Sequence, residues 1–247
     1  MRQFITDTLR SVADDLHDAF PVDGSTKTPH EFVTEQDRAT EQHIRRRIKD
    51  AYPEHGIIGE ELPDRNPDAS SQWIIDPIDG TTNYSHNIPF FCAALAYLED
   101  NEVIRSGVTS PLHDTVWYAE RGSGAWENGD ELTVEAADES PVIGFCHGST
   151  DTSIKWMADH YERLKSELGD ARQFGAADLE ICLAASGYLD GFLGHHIKPW
   201  DFLPGCLIAD EAGLTVTGFD GESWDDPEQG SVVIAPASLH ADLLDLV

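Results

Sequence analysis

The stretch that most constrains this chain is Trp73 to Asn83, which reads W-I-I-D-P-I-D-G-T-T-N. Trp73, Ile74 and Ile75 form an apolar run of the kind that ends a buried strand. Asp76 and Asp79 follow three residues apart, with Pro77 stiffening the bend between them. Gly80 permits a sharp turn or a close approach of a ligand to the backbone. Two close carboxylates repel unless something neutralises them, and a hard divalent cation does so with oxygen ligands. Backbone amides opening a short helix just beyond can receive an anion such as a phosphate. A strand ending in an Asp-Pro turn, with the second Asp capping a helix, accounts for part of this pattern. A turn alone does not need two aspartates, a glycine and a threonine in this order.

Charge narrows the partners. The chain has 247 residues and a net charge of -30, with 16 Lys+Arg against 46 Asp+Glu. A polyanion is repelled, so a nucleic-acid polymer is not expected as a partner, nor is an anionic membrane surface. The acids are dispersed along the chain (Asp14, Asp15, Asp18, Asp64, Asp68, Asp225, Asp226). An ordinary acidic protein is one reading; adaptation to high cytoplasmic salt is the one adopted, since at molar salt the screening length is only about 3 Å. Cys92, Cys146, Cys182 and Cys206 lie far apart without a C-x-x-C, so buried reduced thiols in a cytoplasmic protein are expected. The N-terminus carries acids and no apolar core of a signal peptide, and no segment reaches membrane-spanning length.

Along the chain, Phe4, Ile5, Leu9, Val12, Leu16 and Phe20 predict an amphipathic helix over 2–20. A loop containing Lys27 is expected over 21–29 and a second helix over 34–51, where Thr34 and Asp37 resemble a capping pair. Strands are expected at 56–59, 90–98, 103–109, 115–120, 124–126 and 132–134, the later ones as an antiparallel meander. The apolar 56–59 strand is expected to turn at least one of Glu60 and Glu61 inward, and His113 and Asp114 are expected in an exposed turn. Beyond 139 the pattern changes to strands at 141–146, 214–216 and 231–235 and helices at 153–168, 176–189, 202–212 and 238–247. That alternation predicts a second α/β unit with a mixed sheet, so two subdomains are expected, 1–138 and 139–247. In Lys198-Pro199-Trp200-Asp201, Asp201 is either the cap of the next helix or a distant carboxylate brought to Asp76 and Asp79.

These strings together resemble the inositol monophosphatase family. Gly59-Glu60-Glu61, Asp76 to Asn83 and Trp200-Asp201 look like its three signatures, and Val33-Thr34 with Asp37 looks like its early V-T-x-x-D motif. Arg172 with Gly175-Ala176-Ala177 is similar to its segment before an Ala-rich helix. The resemblance covers nearly the whole chain and implies a layered αβαβα sandwich, α+β or α/β in class, and a homodimer. It implies a magnesium-dependent phosphomonoesterase acting on inositol monophosphate or a related sugar phosphate. Relatives acting on fructose 1,6-bisphosphate or 3′-phosphoadenosine 5′-phosphate share the motifs, and a non-catalytic cation-binding protein is the rival of a different class. Carried over, Glu60, Asp76 and the Ile78 carbonyl hold one Mg²⁺, Asp76, Asp79 and Asp201 a second, and Glu60 a third through water. Gly80 and Thr81 amides bind phosphate, with Gly175 and Ala177 beside the substrate, and Asp37 orients the Thr81 hydroxyl that activates water. Lys27 is a candidate for the family's loop lysine, and Arg172 and His195 for further contacts. The family's inositol-gripping acid falls at Gly194 here, which leaves room for sugar bisphosphates; His195 and His196 after it offer substrate contacts or form a plain surface loop, and the loop is expected.

Overall fold

The computed structural model describes residues 1–21, 35–134, 140–225 and 230–247. Lys27, Val33 and Thr34 lie outside the described residues. In chain order the first half runs α1 (Arg2–Ala19), α2 (Glu35–Ala51), β1 (Gly56–Gly59), β2 (Ser71–Asp79), α3 (Thr81–Ser85) and β3 (Cys92–Glu99). It continues with β4 (Glu102–Ser110), β5 (Thr115–Glu120), β6 (Gly124–Glu127) and β7 (Asp130–Glu131). The second half runs β8 (Val142–His147), α4 (Asp151–Arg163), β9 (Asp170–Arg172), α5 (Ala177–Ala185) and β10 (Gly191–His195). It ends with α6 (Leu203–Glu211), β11 (Thr215–Gly218), β12 (Val232–Ala235) and α7 (Ala237–Leu244).

Two sheets result. The first has the order β1-β2-β3-β4-β5-β6-β7, a meander of antiparallel pairs with β1 added parallel to β2. The second, β11-β12-β10-β8-β9, is mixed, parallel at β10-β8-β9 and antiparallel at β10-β12-β11. Three apolar clusters show how they stack. Ile5, Leu9, Val12 and Leu16 of α1 and Ile44 and Ile48 of α2 pack on one face of the first sheet, against Trp73, Ile75 and Leu95. The opposite face, with Ile74, Ala94 and Ala96, meets α5, α6 and the second sheet in one continuous cluster. The far face of the second sheet, with Phe145, Leu193 and Val233, packs under α7. The layers run αβαβα. Helices α5 and α6 lie between two sheets, and apart from a few acids, including the buried Asp178 and Glu180, their residues are apolar around the helix, as such a position requires.

The differences from expectation are local. Strand β10 was hidden because two of its five residues are glycines; a Cβ on Gly191 would stand 2.7 Å from the Ile234 carbonyl, so close sheet packing forbids a side chain there. The expected strand at 132–134 gives way to β7 just before it, with Leu132 N–H still bonded to the Ala125 carbonyl at 2.8 Å. The helix expected over 153–168 closes with a π-turn at Leu164–Leu168, and α5 ends at Ala185, short of 189. The short turn Pro111–His113 exposes His113 and Asp114, as expected. All four cysteines are free and buried. Among the described residues no helix is long and apolar enough to cross a membrane.

Candidate active site

Strand β2 sets the site through one irregularity. Asp76 pairs with Ala94 of β3, but Asp79 pairs with Cys92, so three steps on β2 match two on β3. Residues three apart on a regular strand point to opposite faces. The extra residue, at Pro77-Ile78, turns both aspartates to the same face, and proline fits a bulge because it has no N–H to leave unpaired. Ile78 takes the other face, in the cluster with Trp73 and Ile75.

The carboxylates gather on that face. Asp76 is buried, and its Oδ1 has no hydrogen-bond partner. Burial, then the charges of Glu60, Asp79, Asp201 and Asp178, push it well above the usual carboxylate range. Asp201 shares a side-chain hydrogen bond with Asp76, and burial raises it to about 6. Asp79 is pushed up to about 7 by burial and by Asp201. Glu60 stands exposed at the rim. Desolvation by the surrounding protein, then Asp201, Glu61, Asp37 and Asp79, push it up to about 8, and solvent at the rim screens part of that shift. Of the two adjacent glutamates it is Glu61 that turns inward, its side chain 7% exposed and 3.7 Å from Arg38.

Beside the carboxylates, Thr81 opens α3 after Gly80, whose φ of +90° is the left-handed region. The Thr81 Oγ1 lies 3.3 Å from Asp37 Oδ1 and 3.0 Å from the Ile78 carbonyl oxygen. One hydroxyl proton serves one of these acceptors at a time. Asp37 is fully buried in the first turn of α2, aimed at Thr81 from 44 residues away.

Asp79 has a second set of partners. Its Oδ1 accepts the Ala177 N–H at 3.1 Å and its Oδ2 the Asp178 N–H at 2.8 Å, so it caps α5 from the other half of the chain. The Ala177 amide is therefore engaged by Asp79. Asp178 in turn accepts the Gly205 N–H of α6 at 2.7 Å. Asp201 closes a 3₁₀ turn, Pro199–Asp201, and accepts the Lys198 N–H at 2.9 Å. Its carboxylate does not cap α6; that helix starts at Leu203, with Phe202 at its N-cap and Pro204 in its first turn as expected. Gly175 (φ +82°) sits against Asn83, whose amide donates to the Phe90 and Phe174 carbonyls at 2.8 and 2.7 Å.

Three candidates lie elsewhere. Arg172 is exposed and paired with Asp170 at 2.6 Å on its own strand. His195 is not in a surface loop: it ends β10, 7% exposed, stacked on Trp156 at 4.3 Å with a 7° interplanar angle. Only His196 is exposed. A Cβ at Gly194 would meet Ile197 Cδ1 at 2.7 Å and Val232 Cγ2 at 3.1 Å, so a side chain there would have to displace these side-chain ends.

Glu180 was missed, although an acid inside the apolar run of α5 is itself a signal. It is fully buried; its Oε1 accepts the Phe174 and Gly175 N–H groups at 3.0 Å each and the Cys146 thiol at 3.3 Å. It thus fixes the Gly175 turn. Burial pushes its carboxyl up to about 8 from an ordinary 4.5. The folded chain therefore binds an extra proton between pH 4.5 and 8, and its stability falls as pH rises through that window. Gln keeps the accepting oxygen without the charge. Glu180→Gln is expected to match the wild type near pH 4.5 and to exceed it at pH 7 by roughly 1–3 kcal/mol. Denaturant unfolding across this range checks it; parallel stability curves would contradict the assignment.

The donors are hard oxygens, crowded until they raise one another's pKa, with one orphaned buried oxygen at Asp76; that chemistry fits a divalent cation. Among the described residues no group of three or more His, Cys, Asp or Glu side chains stands in an arrangement that would itself hold a metal ion.

Comparison with known proteins agrees with this site. The model of the inositol monophosphatase family matches residues 3–247. The chain belongs to the inositol monophosphatase family. Its relatives include the inositol-1-monophosphatase of Rhizobium meliloti, 33% identical over 253 residues, covering 100% of this chain and 94% of that protein. The fructose-1,6-bisphosphatase/inositol-1-monophosphatase of Thermotoga maritima is 36% identical over 192 residues, covering 78% of this chain and 73% of that protein. The crystal structure of the extragenic suppressor protein suhB from Bartonella henselae superposes with a TM-score of 0.90 at 26% identity, covering 99% of this chain and 97% of that one. Family membership supports a metal-dependent phosphatase, and the αβαβα layers are the family's.

Proposed function

We propose that this protein is a magnesium-dependent phosphomonoesterase that hydrolyses inositol monophosphate or a related sugar phosphate. The observation that carries the reading is the Thr81 hydroxyl, within reach of Asp37 and the Ile78 carbonyl, beside the crowded carboxylates of Asp76, Asp79 and Asp201. A structural turn has no use for a hydroxyl so placed next to uncompensated buried acids.

The roles follow from the chemistry. Glu60, Asp76 and the Ile78 carbonyl would hold one ion; Asp76, Asp79 and Asp201 a second; Glu60, at the rim, would reach a third through water. Magnesium, when bound, supplies positive charge for the phosphate and lowers the pKa of a coordinated water. With its proton given to Asp37, the Thr81 oxygen keeps lone pairs that accept a proton from the attacking water. Gly80, held left-handed, and Thr81 present backbone N–H groups to the phosphate oxygens. Asp79 Oδ1 accepts only the Ala177 N–H and keeps a lone pair for a cation, while Oδ2 is taken up by the Asp178 and Leu179 N–H groups and the Cys92 thiol.

The runner-up is a fructose-1,6-bisphosphatase or a 3′-phosphoadenosine 5′-phosphate phosphatase, favoured by glycine at 194, where the resemblance places the acid that grips inositol. The negative charge dispersed over the chain supports a cytoplasmic setting of high salt and argues against a nucleic-acid polymer or a membrane as partner. The family resemblance is what supports a homodimer.

One preparation tests these readings together. Phosphate release is measured with Mg²⁺ at low and molar KCl on inositol 1-phosphate, fructose 1,6-bisphosphate and 3′-phosphoadenosine 5′-phosphate, with light scattering for the oligomer. Turnover of inositol 1-phosphate, fastest at high salt, by a dimer is expected. Turnover of one of the others alone selects the runner-up. No turnover of any by a folded, magnesium-loaded protein would leave a non-catalytic cation binder.

A further inference from the structure

Helix α2 carries Asp37, Glu41 and Arg45 at successive four-residue steps, so the three form one stripe. Asp37 reaches Thr81. Glu41 is fully buried, on a helix whose other charged residues beyond Asp37 lie nearer solvent. Its two oxygens serve different partners. The Oε1 accepts the Arg45 Nε–H at 2.6 Å, and the Oε2 accepts the backbone N–H of Glu61 at 2.7 Å. Arg45 then donates from Nη1 to the Pro63 carbonyl at 3.0 Å and from Nη2 to the Leu62 carbonyl at 2.9 Å. Gly59 closes the set: a Cβ there would stand 2.3 Å from Glu41 Oε1 and 3.0 Å from Arg45 Nη2.

From 59 to 63, then, every residue except Glu60 meets this pair: Gly59 by packing, Glu61 by its N–H, Leu62 and Pro63 by their carbonyls. The contacts are directional and leave out Glu60, whose carboxylate feels the charges of Asp201, Asp37 and Asp79. A buried ion pair is weak evidence for stability, and setting one register among alternatives is its best-attested use. The planar Arg45 fork suits it to two adjacent carbonyls in a way that a lysine does not. The arrangement also gives a physical reason for glycine in Gly59-Glu60-Glu61, since Glu41 occupies the space of a side chain.

We infer that Glu41 and Arg45 are positioning residues that hold the Gly59–Pro63 turn, and with it the Glu60 carboxylate, at a fixed place relative to Asp37 and Thr81. The consequence for the cation rests on the reading of Glu60 as a metal ligand. The turn itself does not depend on that reading.

The test is a charge-balanced double variant, Glu41→Gln/Arg45→Met, with Arg45→Lys as a milder companion that keeps the charge and loses the fork. Amide hydrogen exchange of the 59–63 segment is read by mass spectrometry, Mg²⁺ binding by calorimetry, and KM and kcat by phosphate release. Replacing both charges of a buried pair tends to leave stability near the wild type. Exchange of the turn is expected to quicken about tenfold or more while the global unfolding midpoint stays close to wild type. The Mg²⁺ dissociation constant is expected to rise ~10–100-fold, as for other residues that orient ligands from behind. KM for the ester at saturating Mg²⁺ is expected to stay within about twofold, because substrate contacts are untouched. Arg45→Lys should lie between, which keeps the test decisive if the double variant fails to fold. Wild-type exchange and wild-type Mg²⁺ affinity in either folded variant overturns the inference. A wild-type protein that binds no Mg²⁺ overturns the reading of Glu60, and the exchange measurement still decides the clamp.

Discussion

Asp76→Asn is expected to lower phosphate release by about a thousandfold or more while leaving the fold intact. Asp76 is buried beside Glu60, Asp79 and Asp201, and burial together with those charges pushes its carboxyl above the usual carboxylate range. An amide keeps the shape of the carboxyl without its charge, so the substitution costs the metal-free fold little. What it removes is the charge that two ions would share. A loss of about 10³ corresponds to about 4 kcal/mol of transition-state stabilisation, the scale of a lost electrostatic contact in a dry site. The binding readout separates this from misfolding. A ligand at a hundred times its dissociation constant stabilises a protein by about 2.7 kcal/mol. Added Mg²⁺ should therefore raise the unfolding midpoint of the wild type and not that of Asp76→Asn. Near-normal turnover by the variant would remove Asp76 from the centre of the mechanism.

Thr81→Ala is expected to show the complementary pattern. The hydroxyl donates to Asp37 or to the Ile78 carbonyl, one at a time, and nothing places it among the cation's side-chain ligands. Turnover should fall by roughly 10²–10³, within the usual range for a positioned proton-transfer group, with KM little changed. The Mg²⁺-induced rise in midpoint should survive. Thr81→Ser, which keeps the oxygen, should recover most of the rate. A Thr81→Ala protein that turns over normally would favour a cation binder without chemistry; one that loses Mg²⁺ stabilisation would mean that Thr81 shapes the carboxylate cluster itself.

Much of this was readable from the chain. Asp76, Asp79, Thr81, Asp37 and Asp201 do meet, and the motifs that named them are local strings with strong chemistry. Helix α1 and strands β4 and β5 follow from apolar spacing alone. What could not be read is what depends on a partner far along the chain. Asp79 caps α5 from 98 residues away, and Asp178 caps α6 from 27 away; sequence offers each acid only its nearest neighbours. The Glu41–Arg45 pair looks like an ordinary helix-surface pair at i, i+4 until the Glu61 turn folds over it. His195 looks like loop because Gly194 and Gly191 erase the apolar pattern of β10, and burial in a stack with Trp156 is a tertiary fact.

The extra residue at Pro77-Ile78 reaches beyond the two aspartates. A strand counts by twos, and a motif of two acids three apart is odd-numbered. Without the bulge one carboxylate would lie on the catalytic face and its twin among Trp73, Ile75 and Leu95, in the oily layer beneath α1 and α2. The proline between the acids is thus a parity device, converting an odd spacing in the sequence to an even one in space. Insertions elsewhere in the long loops would be absorbed locally. A single residue gained or lost between Asp76 and Asp79 would exchange inside for outside, and the chain would face a choice between its core and its chemistry.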